Sequence, residues 1–181
     1  MANKDKITLG SGKLYCVEYT GTIPEDTAIE TEDNRLGYVS GGATLEYAPA
    51  YYEAKDDLGY VSKTILTQEE AKLNSGVMTF NGETLTKLCS TGRVTETEGK
   101  RTVLIGGAGN QDGKSYIIRF LHEDPVDGDV RVTIVGRNEA GFSLSYAKDK
   151  ETVIDAEFKA LAKLDTEGTL IKYEETIPSA E

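Results

Sequence analysis

The segment Ala108–Pro125, "AGNQDGKSYIIRFLHEDP", decides the fold, because two architectures read it differently. Its first half fits the loose phosphate-loop pattern, a small residue, four arbitrary residues, then Gly113, Lys114 and Ser115. The apolar run "RTVLIGG" stands before it as a strand would. A phosphate loop needs a helix beginning at Gly-Lys-Ser, whose first amides cradle the phosphates, with Lys114 on phosphate and Ser115 on magnesium. The following residues do not supply one. Tyr116, Ile118 and Phe120 alternate with Ile117, Arg119 and Leu121, and β-branched and aromatic side chains of this kind favour a strand. Pro125 cuts any helix here to about three turns. Asp112 adds a negative charge where phosphate would bind. The stretch therefore reads as a hairpin loop with Asn110 to Gly113 at its tip, leading into a strand, and predicts no binding of ATP or GTP.

The same period-two pattern extends in both directions. "VRVTIVG" sets Val130, Val132 and Ile134 against Arg131 and Thr133, and "FSLSYA" sets Phe142, Leu144 and Tyr146 against Ser143 and Ser145. "TVIDAEFKA" sets Ile154, Ala156, Phe158 and Ala160 against Asp155, Glu157 and Lys159. Such alternation marks antiparallel strands with one dry and one wet face. Shorter strand candidates are Leu14–Tyr19, Thr44–Ala48, Gly59–Leu66, Val77–Phe80, Thr102–Gly106 and Thr169–Tyr173, separated by turn clusters such as "DPVDGD", "GRNEAG" and "DTEG". Helix is scarce. In "NGETLTKLC", Leu85, Leu88 and Cys89 fall at i, i+3 and i+4 behind an Asn81 cap. "TQEEAKLNSG" carries a Thr67/Glu70 capping-box signature, but Ala71 and Leu73 fit a strand equally well. The fold class is mostly β, a sandwich or barrel with about one short α-helix.

Composition narrows the function. A chain of 181 residues is read as a single domain over 1–181. Its net charge of −11, from 20 basic and 31 acidic residues, disfavours binding to phosphate backbones. No apolar run approaches membrane-spanning length and no signal peptide is visible, so cytoplasmic synthesis is expected. Cys16 and Cys89 show no metal-ligand spacing; they read as two buried thiols, with a disulfide as the alternative. His122, the single histidine, reads as an exposed strand-end residue. "DPVDGD" lacks the alternating oxygens and closing Glu of a calcium loop and reads as an acidic turn. The pairs Glu69/Glu70 and Glu96/Glu98 read as solvated faces. No catalytic, cofactor-binding or metal-binding residue is assigned.

One stretch stands apart. "GYVSGGATLEYAPAYYEAKDDLGYVSK" holds Tyr38, Tyr47, Tyr51, Tyr52 and Tyr60 out of ten tyrosines in a chain without Trp. Tyrosine combines contact area with a polar tip and is enriched where protein surfaces meet. Two readings stand: an assembly interface carried by Tyr47, Tyr51, Tyr52 and Tyr60, or a long hairpin whose tyrosines cover only its own sheet.

The segments "GVMTFNGETLTKLC", "RTVLIGG", "VRVTIVGRNEAGFSLSYAKDKETVIDAEFKAL" and "DTEGTLIKYEE", all within the stretch Ile65 to Glu175, resemble the tail tube proteins (major tail proteins) of long-tailed bacteriophages. The opening "GKLY" also resembles their first strand. The resemblance implies two packed antiparallel sheets flanked by a helix, with an N-terminal arm (1–12) and a flexible C-terminal tail (174–181). It implies hexameric rings, each subunit lending strands to a central barrel, stacked into a tube through which DNA passes without specific binding. It brings no enzymatic activity, cofactor or membrane. Its partners are further copies of the chain and the tape-measure, terminator and tail-tip proteins, and its location is the virion tail, after assembly in the host cytoplasm. Asp155, Glu157 and Lys159 are then candidate lumen residues. Two alternatives stand beside it: the inner tube of a contractile tail or injection machine, and a monomeric β-sandwich binding module.

Overall fold

The computed structural model describes residues 10–177. In chain order its elements are β1 (Lys13–Glu18), α1 (Asp26–Ile29), β2 (Arg35–Lys55), β3 (Ser62–Val77), α2 (Gly82–Lys87), β4 (Arg93–Thr97), β5 (Lys100–Leu104), β6 (Tyr116–His122), β7 (Val130–Asn138), β8 (Ile154–Ala160) and β9 (Lys172–Glu175). The fold is mostly β. One antiparallel sheet runs in the order β6-β1-β2-β3-β8-β7-β9, and a further β6–β7 pairing closes its first six strands into a ring. The two layers expected are thus opposite walls of one barrel-like sheet. β4 and β5 form a separate two-stranded sheet.

Alternation explains the closure. Residues from all six ring strands meet inside it, among them Leu14, Leu36, Leu73, Ile118, Ile134 and Phe158. The intervening residues of β1 and β6 are buried too. Tyr15, Ile117 and Leu121 join Ile29 and Val135 in a second cluster on the outer wall, covered by Tyr19, Ile23 and Leu164. That is why β6 is apolar on both faces. Where β7 crosses β8, Gly136 faces Ala160, and a Cβ there would lie 2.0 Å from the Lys159 carbonyl oxygen. Only glycine permits that approach.

Helix α2 forms where the Asn81 cap places it. The Asn81 Oδ1 accepts from the Glu83 and Thr84 amides at 2.9 and 3.1 Å, and Thr84 Oγ1 accepts from the Asn81 amide at 3.3 Å. Leu85 and Leu88 pack on the ring core. Helix α1, a single turn, has no such signal in the sequence. It is held to the barrel by charge: Arg119 on β6 pairs with Asp26 and Glu30, and Arg131 on β7 pairs with Glu30 at 2.7 Å.

Several expectations are corrected. "FSLSYA" is not a strand: Phe142 and Leu144 rest on the core and Tyr146 is exposed, but the ladder it would join is full. β7 already pairs with β6 on one side and with β9 and β8 on the other. The Asn110–Gly113 segment is not a hairpin tip, because β5 and β6 belong to different sheets. Of the two readings open for "TQEEAKLNSG", strand is the one found, since the whole stretch lies within β3. His122 is buried rather than exposed: the Gly10–Gly12 segment lies over it, and its Nδ1 is 2.8 Å from the Ser11 carbonyl. The last predicted strand shifts to β9, so Glu174 and Glu175 of the expected tail pair with β7, and the Thr176 amide donates to Asp129. Residues 1–9 of the expected arm and 178–181 of the expected tail lie outside the described residues.

Candidate functional site

The tyrosine-rich segment is one half of a β-ribbon. β2 and β3 pair from Val39/Val77 out to Lys55/Ser62. β8 pairs with β3 only between Lys72 and Val77, and β1 pairs with β2 only between Arg35 and Tyr38. Beyond Lys72, among the described residues, the two strands therefore pair only with each other. The free part of β2, from Tyr47 to Lys55, projects about 30 Å at the usual rise per residue.

Register assigns the ribbon two faces. Directly opposed residues share a face, so Leu45/Leu73, Tyr47/Ala71, Pro49/Glu69 and Tyr51/Leu66 lie on one. This row begins at Leu73 in the ring core and runs out into solvent without a break. Leu45, Tyr47, Tyr51 and Leu66 are 37, 50, 63 and 45% exposed. Glu69 is the one acid in the row, and it accepts a hydrogen bond from the Tyr47 hydroxyl at 2.5 Å, which pushes the phenol pKa up. The opposite face carries Glu46/Lys72, Ala48/Glu70, Ala50/Gln68 and Tyr52/Ile65. A bulge at Thr67 brings Leu66 onto the apolar face; its hydroxyl donates to the Ala50 carbonyl at 3.1 Å.

The tip is a built turn. The Asp56 carboxylate accepts from the Val61 and Leu58 amides at 2.7 and 3.3 Å, and the Val61 amide chiefly holds its pKa below the ordinary carboxylate range. Gly59, with φ of 72°, turns the chain. Leu58, Tyr60 and Val61 are left exposed. The four candidate tyrosines therefore do not form one patch. Tyr47 and Tyr51 share the apolar face, Tyr52 lies on the other, and Tyr60 sits at the tip. Leu45 and Leu66 share the apolar face with Tyr47 and Tyr51, and Ile65 lies on the other face beside Tyr52; within β3 the alternation that signals Leu66 was obscured by the Thr67 bulge.

The outer face of β8 carries Asp155, Glu157 and Lys159, while Ile154, Ala156, Phe158 and Ala160 are buried. β3 adds Glu70 and Lys72 beside them. Lys72 bridges Glu157 at 3.1 Å and Glu70 at 3.2 Å, and Lys159 reaches Glu70 at 3.3 Å. The two lysines hold the Glu70 carboxyl below its usual range, and Glu157 followed by Glu70 raises Lys72. The four charges thus form a self-neutralising ladder. Asp155 stands at its end, opposite Gly76.

The remaining candidates resolve as structure. Lys114 Nζ is 2.7 Å from Glu18, and antiparallel β6 follows it where a phosphate loop needs a helix. Cys16 is buried, with its thiol pKa pushed up to about 12 by burial, and Cys89 is half-buried; both are free thiols. In the acidic turn, Asp124 accepts from the Val126 and Asp127 amides. Glu96 pairs with Arg101. Among the described residues, no group of three or more His, Cys, Asp or Glu is placed to hold a metal, and no helix is long and apolar enough to cross a membrane. Comparison with protein-family models finds no match, and comparison with curated proteins finds none either.

Proposed function

We infer that the protein is a self-assembling structural subunit of a phage tail tube, whose ribbon is completed by a second copy of the chain. The observation that carries this reading is the apolar row running from the core onto a free two-stranded arm. An isolated hairpin is marginal in water, and contiguous exposed apolar surface marks an interaction site. Because the row is the outward extension of the barrel's own core face, its natural cover is the sheet of an identical subunit. Contacts of this head-to-tail kind build rings when the rotation closes and filaments when it does not. No step of this function requires a reacting group, a cofactor or a metal.

On the same reading the outer face of β8 lines the channel, repeated sixfold. The Glu70–Lys72–Glu157–Lys159 ladder holds its own lysines, leaving Asp155 as the charge offered to a passing strand. With a net charge of −11 on the chain, such a wall lets a polyanion slide without capture. The tape-measure, terminator and tip proteins are the further partners, and the virion tail is the location. Sedimentation velocity and negative-stain microscopy at rising protein concentration test the reading. Rings or tubes of constant diameter are expected; a monomer at every concentration overturns it.

A further inference from the structure

We propose that Gly41 and Gly42 set the angle at which the ribbon leaves the barrel, and with it where the arm meets the next subunit. The proposal rests on the assembly reading above. Ser40 is opposite Gly76 and Ala43 is opposite Ser75, so Gly41 and Gly42 are two extra residues in β2 with no partner in β3. Side chains alternate with a period of two, so an insertion of two leaves every face where it was. Val39 and Ala43 both still pack on the ring core. Removing the pair leaves a regular ladder, with Ser40 opposite Gly76 and Ala43 next in line. Register and packing therefore do not explain the insertion. Geometry does.

The insertion lies at a corner. β2 stops pairing with β1 at Tyr38, and β3 meets β8 from Val77 and Gly76 onward. There β2 must turn away from one wall and continue along another, and bulges bend and twist a strand at such rims. Both glycines are in the left-handed region, with φ of 80° and 77°, and no atom lies within 4 Å of where a Cβ would stand. Their backbone conformation, rather than crowding, calls for glycine. The Ser75 hydroxyl, buried in the wall, donates to the Gly42 carbonyl at 3.1 Å and pins the bend. A cleft of about 450 Å³ lies on the outer side of the corner, between the bulge and β8, and leaves room for the angle to change. The lever is long: from Gly42 to Lys55 the strand extends about 43 Å at the usual rise per residue, so a rotation of about 20°, the ordinary twist between neighbouring strands, moves the tip by about 15 Å.

The test deletes Gly41 and Gly42 from the full chain in a Cys89→Ser background, with spin labels at Lys55→Cys and Lys163→Cys. Pulsed electron resonance on the isolated subunit then reads the arm-to-barrel distance. The deletion is expected to shift the distance by several ångströms and to abolish tubes or change their diameter. An unchanged distance overturns the proposal. The variant Gly41→Ala with Gly42→Ala keeps the chain length and adds side chains into open space, so it tests the same bend if the deletion fails to fold; an unchanged distance there also overturns it. The distance is read without assembly, so a wild-type chain that never forms tubes refutes the tube reading while the distance still judges the corner.

Discussion

Replacing Tyr51 and Leu66 together by serine separates folding from assembly. The two face each other on the apolar side of the free ribbon, 63 and 45% exposed in the subunit. A tyrosine carries about 200 Å² of surface, so about 125 Å² of Tyr51 remains to be covered by a partner. At about 25 cal/mol per Å² that is about 3 kcal/mol. Leu66, with nearly half of its side chain still exposed, adds about 1 kcal/mol on the same scale. Losing both costs each contact about 4 kcal/mol, or roughly three decades in its association constant. Solvent-exposed replacements of this kind leave subunit stability within about 0.5 kcal/mol. The assay pairs urea unfolding of the subunit with the concentration at which tubes appear. An unchanged unfolding midpoint with tubes lost up to the solubility limit is expected. Tubes at the wild-type concentration refute the claim that this face is buried in assembly. A large loss of subunit stability refutes the claim that it is free beforehand.

Other outcomes follow from the barrel. Phe158→Ala, at a fully buried position in the ring core, is expected to lower unfolding free energy by about 3–5 kcal/mol in denaturant titration. Gly136→Ala is expected to cost about 1–3 kcal/mol or to prevent folding, because its methyl group meets the Lys159 backbone where the ring closes. Asp26 has its pKa lowered chiefly by its hydrogen bond to Arg119. Its contribution is therefore complete above the unfolded value near 3.9 and is lost as pH falls through the lower folded value. Urea midpoints should fall below about pH 4, and Asp26→Asn should flatten that fall; an equally steep fall in the variant contradicts the assignment. Calorimetry with magnesium ATP or GTP should show no binding, and micromolar affinity lost in Lys114→Ala would reverse the reading of the loop.

The strands were legible wherever a dry face alternates with a wet one, as in β7 and β8, and α2 was legible from its Asn81 cap. β6 was recognisable as a strand, but its second buried face was not, because the cover comes from distant segments around Ile29 and Leu164. Arg119 was the overlooked signal: an arginine on the same face as Ile117 and Leu121 implies a buried charge with acidic partners. "FSLSYA" shows the converse, since period two records burial but not whether a neighbouring strand is free to pair. The ribbon's length was hidden because Gly41, Gly42 and Pro49 punctuate it and made one long strand read as short pieces. His122 was misplaced for a non-local reason, the return of Gly10–Gly12 across the end of β6. The tyrosines were conspicuous in the sequence, but their division between two faces depends on register.

Amide hydrogen exchange of residues 46–69, followed in the free subunit and in the assembled particle, tests the central claim most directly. A two-stranded ribbon, which is what the described residues form here, opens readily, so these amides should exchange fast in the subunit and slow by orders of magnitude on assembly, while β6 and β7 stay protected in both. Equal exchange in the two states contradicts completion of the ribbon by a second copy.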